Sequence, residues 1–193
     1  MSPRANAEPR SQLAAVIFRF LQERDAPKSF LAGWPSDIGA ISQPCTCLPV
    51  LRHLPHAMAV TVPETEALAA LLIAAVGELE WQQSHTEFEM GRNFVENCAW
   101  TEIFHAERLI CGFIVLGPRT EYPTHRQAPE EICIPLAGTA FWQHGRRPFT
   151  PRPPGFVIYH PSWLPHAMRT SDEPLLALYV RRGDLLGDPP ILG

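Results

Sequence analysis

Apolar positions along the chain follow two different periods. Over residues 11–25, SQLAAVIFRFLQERD, they recur at Leu13, Val16, Ile17, Phe20 and Leu21. This is the stripe of an amphipathic helix, which Ser11 would cap. A second helix is predicted from Glu64 to about Trp81, with Pro63 in its first turn and Leu68, Leu71, Leu72, Ala75, Val76 and Leu79 on one face. A third, shorter helix is predicted from about Phe88 to Asn97. Residues 26–63 contain Pro27, Pro35, Pro44, Pro49, Pro55 and Pro63 and read as an ordered connector. From Glu107 the period changes. RLICGFIVL (108–116) is apolar and β-branched, and EICIPLAG, TAFWQH, GFVIYH, PHAMRT and PLLALYV follow, separated by Gly and Pro. Such short runs at intervals of about 8–12 residues predict a β-sandwich or barrel. The expected architecture is mainly β: a helical region over 1–106 packed on a β-barrel over 107–193, together one structural unit.

Composition sharpens this division. Proline makes up 21 of the 193 residues, about double the average share. Thirteen of the 21 lie at or after Pro118, where they would mark strand starts, edges and bulges. Helical bundles are disfavoured, because proline inside a helix costs about 3 kcal/mol. Charged residues are only 19% and the net charge is −4, with no basic stripe to track phosphates, so nucleic acid is excluded as the expected partner. The longest apolar runs fall short of the about 18 residues a membrane span needs. Met1 to Gln12 lacks the apolar core of a secretory signal. The five cysteines, Cys45, Cys47, Cys98, Cys111 and Cys133, are odd in number and scattered. They read as reduced thiols of a cytoplasmic protein rather than as a disulfide framework. Cys45-Thr-Cys47 has no second cysteine pair to complete a metal site.

Candidate chemistry gathers in the β half. His125 and Gln127 are two apart and share a face if the strand is regular. Glu131 has the same parity if that strand continues, and His166 lies on a later strand. Two imidazoles and a carboxylate suit Zn, Fe, Mn, Co or Ni, and an open position admits substrate or water.

Two stretches then resemble a known family. His125-Arg-Gln127-Ala-Pro-Glu-Glu131 with Gly138 six residues on is similar to the first cupin motif, HxH(x)3–4E(x)6G. Gly155-(x)5-Pro161-Ser-Trp163-Leu-Pro-His166-(x)3-Thr170 is similar to the second, G(x)5PxG(x)2H(x)3N. Gln127 replaces a His, Trp163 a Gly and Thr170 an Asn. The resemblance implies a cupin (double-stranded β-helix) barrel. More narrowly, Tyr122-Pro-Thr-His125, Ala128-Pro-Glu-Glu131, Leu136-Ala-Gly138, Gly155 to Ser162, Pro165 to Thr170 and Glu173 to Tyr179 resemble the cupin-type dimethylsulfoniopropionate (DMSP) lyases of the DddQ group. The likeness is strongest from Gly112 to Asp184.

That resemblance implies a small-molecule substrate; composition points to no nucleic-acid or membrane partner, and a monomer or homodimer is expected. The resemblance implies one divalent transition metal held by His125, Glu131 and His166, with Gln127 at the position of a ligand histidine and able to offer its amide oxygen. The reaction it implies is β-elimination of DMSP to dimethyl sulfide and acrylate. Tyr122 matches one active-site tyrosine. The second, proposed as the base in the family, falls on Cys133, so Gln127 and Cys133 are the departures that would impair such a lyase. Trp142, Tyr159, Trp163, Tyr179 and Phe141 are candidates to hold the sulfonium by cation–π contacts, with His160 at the pocket mouth. Because Gln127 and Cys133 alter the metal field and the base, an isomerase, a dioxygenase or a non-catalytic small-molecule-binding cupin are the alternative readings.

Overall fold

The protein, seen in a computed structural model, is described for residues 3–24, 26–39 and 48–193; Cys45 and Cys47 lie outside the described residues. Helix α1 (Pro3–Gln22) begins ahead of Ser11, so Ser11 is not its cap. The run before Ser11, PRANAEPR, holds two Ala, two Arg and one Glu, all good helix formers, and the helix runs on through Pro9. The connector holds short turns and α2 (Leu54–Met58). Helix α3 (Pro63–Ala74) starts on Pro63 as expected but stops early. The chain passes through Gly77, and the Trp81 indole donates to the Val76 carbonyl at 3.2 Å. Trp81 itself belongs to strand β1 (Trp81–Gln82). The third predicted helix is two, α4 (Glu87–Met90) and α5 (Arg92–Asn97), broken at Gly91, whose φ of 77° no regular helix contains.

The remaining strands are β2 (Cys98–Ala106), β3 (Leu109–Leu116), β4 (Glu121–Arg126), β5 (Glu130–Ala137), β6 (Ala140–His144), β7 (Thr150–Arg152), β8 (Ile158–His160), β9 (His166–Thr170), β10 (Leu175–Arg182) and β11 (Ile191–Leu192). They form a six-stranded sheet, β1-β2-β3-β10-β5-β8, and a five-stranded sheet, β11-β4-β9-β6-β7. No strand pairing among the described residues joins the two into a closed cylinder. The strand layer opens at β1, earlier than the change of period at Glu107, because Thr101, Glu102 and His105 interrupt the apolar signal of β2.

Alternation along the long strands separates two cores. On β3, Cys111, Phe113 and Val115 face the helices, where they meet Leu13, Ile17 and Leu21 of α1 and Leu68 and Leu72 of α3. Ile110, Ile114 and Leu116 face the other way, into a second core shared with Trp142 and Met168 of the five-stranded sheet. β3 is buried along its whole length. Strands covered on both faces read as unbroken apolar runs, which is why RLICGFIVL shows no alternation. Each such fully buried side chain contributes about 1.5–3 kcal/mol. Thr65 ties the helical layer to the sheet by donating its buried hydroxyl to the Leu136 carbonyl at 2.6 Å.

The motif glycine at 138 has a steric reason. Its φ is +75°, and a Cβ there would penetrate the carbonyl oxygen of Pro174. Gly138→Ala is expected to cost about 2–3 kcal/mol, combining left-handed strain with overpacking. Urea denaturation with an unchanged slope and a lower midpoint would check it.

Candidate active site and metal centre

The two sheets present a pair of cross-strand neighbours each. On the five-stranded sheet His125 of β4 is paired with His166 of β9. On the six-stranded sheet Glu131 of β5 is paired with His160 of β8. Strand β4 ends at Arg126 and β5 begins at Glu130 in the other sheet. The parity linking His125 to Glu131 along one strand therefore does not hold. The two side chains meet because they face each other across the inter-sheet space. A register irregularity between Tyr122 and His125 turns both to that space although they are three apart.

Donor atoms of Glu131, His160 and His166 all lie within 4.8 Å of one another, and all three residues are buried. His166 Nε2 is 3.6 Å from Glu131 Oε2. The His125 ring packs edge-on to His166 at a centroid distance of 4.2 Å, and His160 stacks on His166 at 3.9 Å. Pro123 and Leu164 each accept a hydrogen bond from Nδ1 of the histidine two residues on, His125 and His166, at 2.9 Å. A carbonyl can only accept, so each ring must carry its proton on Nδ1 and present a bare Nε2. This is the orientation that metal-ligating histidines show. His166 Nε2 and both ring nitrogens of His160 are buried without a partner. Buried polar atoms cost about 1–3 kcal/mol each when left unpaired, so this cluster of orphaned ring nitrogens, one on each ring able to offer a lone pair, fits a cation.

The electrostatics agree. Burial and the neighbouring His166 push the His125 imidazole down to about 3. His160 is lowered well below its ordinary value, by burial first and His166 second. Both rings are thus neutral, as ligands must be. Burial alone would raise the Glu131 carboxyl, but Arg181 and the imidazoles outweigh it and hold it well below the usual range. Arg181 Nε donates to Glu131 Oε1 at 2.9 Å. Arg181 was not singled out from the sequence. The signal was present in LLALYVRR, where Leu175, Ala177, Tyr179 and Arg181 alternate onto one face.

A cavity of about 70 Å³ opens on this cluster, walled by Tyr122, Cys133, Trp142, Met168, Tyr179 and Arg181, among others. Drug-sized pockets run to about 300–1,000 Å³, so this one suits a molecule of few heavy atoms. The Tyr122 hydroxyl lies 3.1 Å from His85 Nε2, a residue with no motif. Cys133 is buried beside Glu131, and burial and that carboxylate raise its thiol well above the ordinary value.

Other expected site residues stand apart from the cavity. Tyr159 is 42% exposed, turned outward with its hydroxyl donating to Glu130 at 3.0 Å and its ring edge-on to Phe30. On β8 it is His160, one residue later, that points inward, which corrects both placements. Trp163 is 49% exposed at a φ of 60°. It stands where the second motif has Gly, in a conformation that costs a bulky residue about 1–2 kcal/mol. It lines a separate hollow with Gln127, Ala128 and Asp188. Gln127 is 6% exposed, with both amide atoms unpartnered, and does not line the cavity. Phe141 is half-buried and carries Arg169 over its ring at 6.0 Å. Thr170, in the motif's Asn position, clamps the loop ahead of β4: its hydroxyl donates to the Gly117 carbonyl at 2.7 Å and accepts from the Thr120 amide at 2.9 Å.

Two facing antiparallel sheets with a histidine and carboxylate cluster between them define a cupin. A cupin-2 domain protein from Rhodospirillum rubrum shares the fold with a TM-score of 0.50 at 19% identity, over 60% of this chain and 75% of that one. The dimethylsulfoniopropionate lyase family model matches residues 37–177, and the chain belongs to that family. DMSP lyase DddQ from Ruegeria pomeroyi is 30% identical over 189 residues, 92% of each chain. A chain from the crystal structures of the DMSP lyases RdDddP and RnDddQII superposes with a TM-score of 0.85 at 31% identity, with both chains covered completely.

Proposed function

We propose that the protein is a metal-dependent carbon–sulfur lyase that cleaves DMSP to dimethyl sulfide and acrylate. The observation that carries this reading is the convergence of buried Glu131 and bare imidazole nitrogens on one small cavity in a chain of the DMSP lyase family. His125, Glu131 and His166 would hold one divalent transition ion. When bound, that ion supplies Lewis-acid stabilisation of charge developing on the substrate carboxylate as the α proton leaves.

The protein's own groups do the rest. Tyr122 takes the α proton, the C–H electrons form the new double bond, and the C–S pair leaves on sulfur as neutral dimethyl sulfide. His85 Nε2, 3.1 Å from the Tyr122 hydroxyl, orients that hydroxyl and is placed to receive its proton. Arg181 anchors Glu131 and puts positive charge in the cavity wall, where a substrate carboxylate would sit. Trp142 in the cavity wall would hold the dimethylsulfonium end of the substrate, at about 0.5–2 kcal/mol per cation–π contact, whereas the Tyr179 ring already carries the Arg181 guanidinium at 5.2 Å. Cys98, Cys111 and Cys133 are buried free thiols, a state that supports a reducing, cytoplasmic compartment. No described helix is long and apolar enough to cross a membrane.

Headspace measurement of dimethyl sulfide tests the reading. Metal-loaded wild-type protein should release it from DMSP, and His166→Ala should fall to the uncatalysed background. Wild type no faster than His166→Ala would overturn it. Oxygen consumption by an iron-loaded sample would instead support a dioxygenase.

A further inference from the structure

Gln127 leaves the first motif one imidazole short. The chain carries another imidazole beside Glu131 and His166, although that ring does not itself wall the cavity. His160 is 1% exposed, and neither of its ring nitrogens has a partner. It is the cross-strand neighbour of Glu131, so the two side chains leave one face of the sheet side by side. Its donor atom lies within 4.8 Å of those of both Glu131 and His166. Gln127 follows the end of β4 and lines the hollow with Trp163, Ala128 and Asp188 instead of the cavity.

We propose that His160 is a metal ligand of this protein, taking over from strand β8 the place that the motif assigns to residue 127. The inference rests on the metal-dependent reading above. The ion would then be held by Glu131, His160 and His166, whose donor atoms converge, with His125 paired to His166 beside them. Two ligands of a tetrahedral ion, with bonds near 2.1 Å, stand about 3.4 Å apart. The 3.6 Å between His166 Nε2 and Glu131 Oε2 already has that span. Two imidazoles and one carboxylate select a first-row transition ion over Mg or Ca, which prefer all-oxygen shells. Residue 127 is left free of the ion.

The test uses Co²⁺ as both ligand and probe on the full chain, with affinity from chelator competition and geometry from the visible d–d bands. His160→Ala should weaken Co²⁺ binding by on the order of 100-fold or more and change the bands; even loss of a group that only supports a ligand costs about 10–100-fold. Gln127→Ala and Gln127→His should leave both readouts as in wild type. A third variant, His160→Cys, keeps a donor at the site. It should add a sulfur-to-cobalt charge-transfer band, which appears only if residue 160 touches the ion. Wild-type affinity in His160→Ala, a weakening in Gln127→Ala as large as expected for His160→Ala, or no such band in cobalt-loaded His160→Cys would each overturn the inference while leaving the lyase reading standing. A wild-type chain that takes up no Co²⁺ would overturn the metal reading and this inference together.

Discussion

Glu131→Ala is expected to abolish both metal binding and turnover and to lower stability sharply. Glu131 is the single carboxylate in the cluster, and its two oxygens serve different partners. One accepts from Arg181 at 2.9 Å and the other lies 3.6 Å from His166 Nε2. Removing it leaves the guanidinium inside the sheet sandwich without its partner. Breaking a buried ion pair from one side costs about 3–5 kcal/mol. Arg181 is 25% exposed and keeps part of its hydration, which places the cost at the lower end, near 3 kcal/mol. For a chain of this size that is roughly 6–12 °C in melting temperature. Glu131→Gln separates the two roles. Its amide oxygen can still accept from Arg181, so the loss of stability should be smaller, while metal content by elemental analysis should drop as for Ala. Full metal occupancy in Glu131→Gln would show that the carboxylate charge is not needed for binding.

Tyr122→Phe is the second large effect. The substitution keeps the ring, which packs edge-on to Phe94 at 5.1 Å and against His125 at 4.4 Å, and removes only the hydroxyl that meets His85. Loss of a positioned general base costs about 10²–10⁴ in rate. We therefore expect kcat to fall by that factor, with KM and metal content close to wild type. The competing base is Cys133, which stands where the family resemblance expects a second tyrosine. Burial raises both groups, Cys133 and Tyr122. They differ in their neighbours. Glu131 raises both as well, but Cys133 sits directly against that carboxylate, whereas Tyr122 has an imidazole nitrogen at 3.1 Å as a hydrogen-bond partner. Steady-state kinetics on Tyr122→Phe and Cys133→Ser decide between them. A large loss in Cys133→Ser with little change in Tyr122→Phe would transfer the role to the thiol.

These expectations also show how the two departures from the motif act. Gln127 and Cys133 read from the sequence as two losses at one site. In the folded chain they are unlike. Gln127 faces a different hollow, and its place is matched by an imidazole from another strand. Cys133 remains in the cavity wall and shortens it by most of a ring, which enlarges the space beside Glu131. Trp163 and Thr170, the other departures, carry backbone consequences only: a bulky residue held at positive φ, and a hydroxyl that clamps the loop ahead of β4.

The sequence by itself determined the helical face of α1, the start of α3 at Pro63, the succession of short strands and the two motifs that hold His125, Glu131 and His166. All of these are local: a period of 3.6, a proline at a helix start, a short apolar run between turn residues, a fixed motif spacing. The sequence could not determine which sheet each strand joins, and side-chain parity is useful only within one strand. Glu131 was expected to follow His125 on a continuing strand, yet it faces His125 from the opposite sheet. Tyr159 was expected inside and His160 at the mouth, and one residue of register reverses them. His85 and Arg181 reach the site from the loop between β1 and α4 and from the penultimate strand, respectively, at distances along the chain that no motif spans. Tertiary structure decided these placements because the site is made where two sheets face each other, and facing is a property of strand pairing rather than of sequence spacing.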